Sequence, residues 1–239
     1  MEWQLKPARD FGLSLRQRLG SLTRELGFLA TATHWSWRQL VRAYLRLFHR
    51  LTVTGLGRLP EPPFVMVANH SSHLDALTLA AAMPARLVDR VHPIAADDTF
   101  FTSFASSAFA ALALNALPFR RKATRHADLA LLRARLIEDR LVYILFPEGT
   151  RSRSGEMAPF KAGIGALVAG TPVPVVPCCL LGAFAALPPH RRWPRFTRLQ
   201  LNIGEALSFA ELPNERAGWD AIAARCEAAV RALGGAAPS

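Results

Sequence analysis

His70 and Asp75 stand five residues apart, directly behind the apolar run Phe64–Ala68. A short, wholly apolar run of this kind reads as a buried strand, which puts His70 at a strand's carboxyl end, where open α/β sheets place their ligands. If Asp75 opens the next helix, the intervening turn can return its carboxylate to the imidazole. The carboxylate then fixes the tautomer and supports the imidazolium formed when His70 takes a proton. No protein nucleophile accompanies the pair: there is no G-x-S-x-G elbow, and Cys178 and Cys179 lie in an apolar run with no charge to lower their pKa. A base and its orienter without a nucleophile fit direct attack by a substrate hydroxyl. Two other readings of these residues stay open at this point. Ser71, Ser72 and Asp75 are also good helix caps, and His70, His73 and Asp75 are zinc-ligand types. The other histidines, His34, His49, His92, His126 and His190, have no ligand spacing, so no metal is expected.

A second constellation follows the apolar run Leu141–Phe146: Pro147, Glu148, Gly149, Thr150, Arg151, Ser152 and Arg153. Pro147 and Gly149 force a turn, Gly149 lets backbone N–H groups approach an anion, and Arg151 and Arg153 carry forked guanidinium donors suited to phosphate. Glu148 can orient an arginine or accept a substrate hydroxyl, and Lys161 adds a cation at the start of a helix. The same residues also suit an ordinary basic surface loop. A third basic point, Arg120-Arg121-Lys122, follows the short extended piece Leu117–Phe119, so three strand ends are expected at one anion-friendly edge.

Taken together, these blocks resemble those of the glycerolipid acyltransferases, specifically the 1-acylglycerol-3-phosphate (lysophosphatidic acid) acyltransferase type. Asn69-His70 with Asp75 is similar to the family's His-x4-Asp block, and Phe146–Arg151 to its FPEGTR block, in the same order and at a similar separation. Leu117–Arg121 resembles the intermediate block that ends in Arg, with Arg120 where the family usually has an acidic residue. Thr171–Pro177 resembles the proline-containing fourth block. The resemblance runs from about Leu51 to Ile203. It implies that His70 is the general base and Asp75 its partner, and that Arg121, Glu148, Gly149, Thr150, Arg151 and, less directly, Lys161 bind the acceptor's phosphate or shape the loop that does. It further implies acyl transfer to a lysophospholipid hydroxyl in phospholipid synthesis, no cofactor, and acyl-CoA or acyl-carrier protein as co-substrate. An N-terminal helical membrane motif is also implied.

The elements that must position these residues alternate along the chain. Strands are expected over Phe64–Ala68, Val91–Ala96, Leu117–Phe119, Leu141–Phe146, Val173–Cys179 and Arg198–Ile203, with helices over Asp75–Met83, Ala127–Asp139, Lys161–Ala169 and Trp219–Leu233. That alternation predicts an α/β fold, a single sheet flanked by helices. Through the resemblance, it is a glycerol-3-phosphate acyltransferase-like sheet.

Residues 1–50 hold nine basic and three acidic residues, +6 of a net charge of +11 on 239 residues. Arginines there interleave with Trp35, Trp37, Leu40, Tyr44, Leu47 and Phe48. Leu40, Tyr44 and Leu47 share helical spacing, as do Arg38, Arg42 and Arg46 on another face. Basic helices with Trp, Phe and Leu lie in membrane interfaces, whereas nucleic-acid arms need less apolar area. The expectation is therefore a basic amphipathic extension over 1–50 that binds an anionic membrane surface, ahead of a catalytic domain over 51–239. The partners are then a membrane, a lysophospholipid and the acyl carrier, with no nucleic acid, at the cytoplasmic face in peripheral or monotopic form. No signal peptide is apparent, because Arg16, Arg18 and Arg24 interrupt any apolar stretch. Thr99–Phe119 and Ala162–Pro189 are uncharged but diluted by polar residues or broken by proline, which favours buried core over a membrane span. Three cysteines, two of them adjacent, make no disulfide framework and fit a reducing compartment. Two other functions share these features: a lipid-phosphate hydrolase and a non-catalytic anionic-lipid binder.

Overall fold

The computed structural model describes residues 8–25, 27–97, 101–119 and 126–235. Seven strands form one sheet: β1 (Thr52–Thr54), β2 (Phe64–Ala68), β3 (Val91–Ala96), β4 (Leu117–Phe119), β5 (Val142–Leu145), β6 (Val175–Leu181) and β7 (Gln200–Ile203). Their spatial order is β1-β7-β6-β2-β5-β3-β4. The β6–β2–β5–β3–β4 portion is parallel, and the β6–β7 pair is antiparallel. The central strands carry apolar residues at consecutive positions because both faces are covered. In β2, Phe64, Met66 and Ala68 pack into one core and Val65 and Val67 into the other, as the two-residue period requires. Cys178 and Cys179 divide in the same way, and all three cysteines are buried free thiols whose pKa burial pushes upward.

The helices are α1 (Leu15–Leu19), α2 (Phe28–His49), α3 (Asp75–Ala82), α4 (Phe104–Ala108), α5 (His126–Glu138), α6 (Gly163–Val168), α7 (Ala183–Ala186) and α8 (Arg216–Gly235). Val41 and Leu45 of α2 join Leu79 and Ala82 of α3 on one face of the sheet. Leu132 and Leu136 of α5, Ile164 and Leu167 of α6, and Ile222, Cys226 and Val230 of α8 cover the other. The result is a sheet between two helical layers, as expected. One helix is shorter than its sequence pattern: the run from Lys161 becomes helical only at Gly163, which leaves Lys161 on the preceding turn.

Helix α2 departs from its expected facing. Its buried side is His34, Arg38, Val41, Leu45 and His49, whereas Trp35, Leu40, Leu47 and Phe48 are exposed. The arginine stripe Arg38, Arg42 and Arg46 is therefore not one outer face, since Arg38 is buried, whereas Leu40 and Leu47 of the apolar stripe point outward. Arg38 turns inward because α3 ends against it: Nε donates to the Ala80 carbonyl at 3.3 Å and Nη2 donates to that of Met83. Both carbonyls lie at the end of α3, where intrahelical donors run out, and that of Ala80 also accepts the Met83 N–H at 3.4 Å. Residues 28–49 of the expected extension are thus packed on the domain. Between β3 and β4, α4 continues into a wider turn over Phe109–Ala113, whose Ala110 packs with Leu114 and Ala116 in a small core of its own. Among the described residues no helix is long and apolar enough to cross a membrane.

Candidate active site

Parallel pairing puts the carboxyl ends of β2, β5 and β6 at one edge of the sheet, with Val67 beside Leu145 and Ala68 beside Cys178. The chain leaves β2 through Asn69, whose side chain behaves as one more ladder residue: Nδ2 donates to the Leu180 carbonyl at 3.0 Å and Oδ1 accepts the Leu180 N–H at 2.8 Å. This pair of hydrogen bonds to β6 fixes where His70 begins. The turn over Ser71–Leu74 then brings Asp75, at the first position of α3, back to His70, with Nδ1 donating to Asp75 Oδ2 at 2.9 Å. That same oxygen accepts the backbone N–H groups of Ser71 at 2.7 Å and Ser72 at 2.8 Å. Asp75 is wholly buried, whereas His70 keeps about a fifth of its side-chain surface open. With Nδ1 carrying the proton toward Asp75, the Nε2 lone pair is free to act as a base, and among the described residues it makes no hydrogen bond.

The loop after β5 locks onto this turn. The His70 N–H donates to Glu148 Oε1 at 2.6 Å, and the Ser152 N–H donates to the His70 carbonyl at 2.8 Å. Phe146 stacks on the imidazole, centroids 4.2 Å apart and planes at 19°. Glu148 Oε2 accepts the Ala158 N–H at 2.9 Å. Both carboxylate oxygens are therefore held by backbone. Burial pushes the Glu148 pKa up, and the two N–H groups oppose that shift. Glu148 is expected to meet the substrate, but its geometry is that of a brace between the two loops, since it is only 3% exposed.

The remaining expected residues lie outward from this brace. Gly149 closes the turn with φ +77°, and a side chain there would meet Lys161 Nζ at 2.6 Å, so the lysine ammonium lies across the glycine. The Lys161 N–H donates to the Pro147 carbonyl at 2.9 Å, while its side chain and Thr150 are exposed. The Arg151 guanidinium lies against His73, with Nη1 2.8 Å from Nε2. Burial, then the Arg151 charge, pushes the His73 pKa down, which keeps that imidazole neutral and engaged with an arginine. Arg121, with its neighbours Arg120 and Lys122, lies outside the described residues. The strand that leads to it, β4, ends on the same edge, two strand spacings or about 10 Å from β5.

Asn69 and Phe146 stand in the motif blocks without a role that the sequence assigns, and the Ala183–Pro189 segment carries no sequence signal for the site. The Leu187 carbonyl accepts both Ser72 Oγ at 2.8 Å and the His73 N–H at 3.3 Å. An Asn directly behind a buried strand is a readable signal for a strand-end bond. Leu187 offers none, because the contact joins positions 115 residues apart. Among the described residues no group of three His, Cys, Asp or Glu side chains converges as metal ligands would.

The chain is similar to known proteins. The chloroplastic 1-acyl-sn-glycerol-3-phosphate acyltransferase BAT2 of Brassica napus is 33% identical over 144 residues, 59% of this chain and 40% of that protein. The 1-acyl-sn-glycerol-3-phosphate acyltransferase alpha of Homo sapiens is 35% identical over 132 residues, 54% of this chain and 44% of that protein. The chain spans less than half the length of these relatives. The crystal structure of the 1-acyl-sn-glycerophosphate (LPA) acyltransferase PlsC from Thermotoga maritima superposes with a TM-score of 0.66 at 20% identity, covering 88% of this chain and 83% of that one, a likeness of fold. The acyltransferase family model matches residues 50–181, more than half of the chain and both loops that meet at His70, and the chain belongs to that family.

Proposed function

We propose that this protein transfers a fatty acyl group from an acyl thioester, acyl-CoA or acyl-carrier protein, to the free hydroxyl of a lysophospholipid, 1-acylglycerol-3-phosphate first, in phospholipid synthesis. The carrying observation is the His70–Asp75 pair, an imidazole whose Nδ1 proton is tied to a buried carboxylate and whose Nε2 is open. The acceptor oxygen attacks the thioester carbonyl carbon as His70 Nε2 takes its proton. The tetrahedral intermediate collapses with cleavage of the carbon–sulfur bond, and the imidazolium returns the proton to the departing thiolate, so ester and thiol leave together. Asp75 offsets the transient positive charge without taking the proton. Arg151 and Lys161, with Arg121 from the end of β4, hold the acceptor's phosphate. Gly149 and Thr150 shape the loop around it, and Glu148 keeps the two loops in register. Backbone N–H groups of the Glu148–Ser152 turn other than those of Gly149 and Ser152, which bond to the Phe146 and His70 carbonyls, are candidates to stabilise the oxyanion. The lysophospholipid is met at the cytoplasmic face of an anionic membrane, with the exposed Trp35, Leu40 and Leu47 of α2 turned toward the bilayer.

The names of the curated relatives support this acceptor, and the match over both loops supports the chemistry. Purified protein given labelled acyl-CoA or acyl-carrier protein and a panel of lysolipids is expected to form phosphatidic acid from 1-acylglycerol-3-phosphate faster than any other product. Preference for a different lysolipid would revise the acceptor. Absence of acyl transfer to every acceptor with both donors would refute the reading.

A further inference from the structure

Between Glu156 and Glu205 the chain has no acidic residue, yet the segment Pro188–Arg198 carries Arg191, Arg192, Arg195 and Arg198 around Trp193 and Phe196. Among the described residues none of these four guanidiniums forms an ion pair. Trp193 is 82% exposed and Phe196 69%. Exposed aromatics are ordinary on mobile tips, but this segment is tied down at several points. The Arg195 N–H donates to the Ala186 carbonyl at 2.8 Å, the Leu199 N–H to that of His49 at 3.0 Å, and buried His49 bonds through Nδ1 to the Thr197 carbonyl at 3.1 Å. Phe196 also stacks on Phe48 of α2, centroids 5.1 Å apart. A fixed loop that presents Trp and Phe among unpaired arginines has the composition of a surface meant for an anionic, partly apolar partner.

Its place in the fold selects that partner. Leu181, at the end of β6, pairs with Gln200, which pairs with Thr52, so the loop Gly182–Leu199 and the residues before β1 sit at the edge where β2 and β5 also end. The loop touches the catalytic turn through Leu187 and the Pro189 carbonyl, 3.4 Å from His73 Nε2. Next to it, Leu47, Phe48, Arg50 and Arg198 border an open cleft of about 460 Å³. We infer that Pro188–Arg198, with Phe48 at the end of α2 and Arg50, is a docking surface for an anionic phospholipid leaflet, distinct from the Trp35 and Leu40 part of α2, and that it presses the His70 edge of the sheet against the bilayer. Trp193 and Phe196 enter the interface while the arginines engage lipid phosphates. The inference rests on the lipid-acceptor reading for its purpose, but the binding itself needs no turnover.

The test uses the full chain and vesicles of phosphatidylcholine alone or mixed with phosphatidylglycerol. R195Q/R198Q should weaken partition onto the anionic vesicles by about fivefold for each arginine at low salt, and leave weak binding to pure phosphatidylcholine unchanged. W193S/F196S should weaken binding to both, and brominated lipid should quench less emission in W193F than in the parent protein. Unchanged melting temperatures show that the exposed substitutions spare the fold. Turnover of a dispersed short-chain acceptor should persist in all variants while turnover of vesicle-borne acceptor falls. Parental binding by both double variants would overturn the inference. So would intact vesicle binding with W193S/F196S converting a dimer to monomer, which would assign the patch to a second copy. Absence of acyl transfer in every format, with loop-dependent vesicle binding retained, would refute the enzyme reading and leave the docking surface standing.

Discussion

At His70, one oxygen of one buried carboxylate takes three hydrogen bonds, and that concentration shapes what substitutions should do. His70→Ala removes the proposed base and should lower turnover by about two to four orders of magnitude at saturating substrates, with the fold intact. Asp75→Asn is more informative than its sequence position implies. An asparagine that puts its carbonyl where Oδ2 lies can still accept all three bonds, so the tautomer survives and the charge alone is lost. Its effect, about two to three orders of magnitude in kcat, should therefore stay below that of Asp75→Ala, with kcat/KM against pH as the check. Equal losses would mean that the carboxylate acts only through its charge and that the orientation it gives adds nothing. Glu148→Gln replaces an acceptor with an N–H2 that must face either the His70 or the Ala158 N–H. We expect about 1–3 kcal/mol of lost stability in denaturant titration, and a fall in kcat with little change in the acceptor's KM. A change confined to the acceptor's KM would place Glu148 on substrate.

The element whose reading changed most is α2. Leu45 is fully buried in the core shared with α3 and β2, whereas Leu40 and Leu47 of the same helix are 65% and 75% exposed. Leu45→Ala should cost about 2–5 kcal/mol, and Leu40→Ala and Leu47→Ala within about 0.5 kcal/mol of nothing, as read by chemical denaturation. A reversed ranking would place the Leu40 and Leu47 face, and not Leu45, in the core. Deleting residues 1–50 would remove Val41 and Leu45 from the core as well as any membrane contact, so point substitutions on the outer face are the cleaner probe. Apolar periodicity identified the helix. It could not identify the inward face, because an arginine can be drawn inward where Nε and Nη2 reach carbonyls at a helix end, and that end comes from a distant part of the chain.

For the whole molecule, the acid limb of stability follows from His92. It is buried on β3, with Nδ1 donating to the Asn115 carbonyl at 3.0 Å. Burial, then the Arg24 charge, pushes its pKa down to about 3. A histidine whose folded pKa lies below its unfolded value contributes no pH dependence above about 6.5, where both states are neutral. As pH falls below that, the unfolded state takes the proton first and stability declines, by at most about 1.4 kcal/mol per pH unit for this group, until the folded pKa is reached. Buried His34, whose pKa is also lowered, adds to the same limb. His92→Asn keeps a donor near Nδ1 and should flatten the decline between pH 6 and 4 in denaturant midpoints. An unchanged slope would assign the acid sensitivity elsewhere.

The chemistry-bearing blocks, their order and the alternation of elements were all legible along the chain, because a five-residue His–Asp spacing, a Pro-x-Gly turn and period-two or helical apolar patterns are local properties. Most elements came within two residues of their bounds. What only the folded chain decided is how distant segments meet. Glu148 became a brace because the loops after β2 and β5 abut once their strands pair. Arg151 met His73 because the same two loops abut. Leu187 reached the catalytic turn because β6 ends beside β2, and Arg38 turned inward because α3 happens to end against it. Each depends on which polar group finds an unsatisfied partner after the sheet assembles, and no local pattern encodes that.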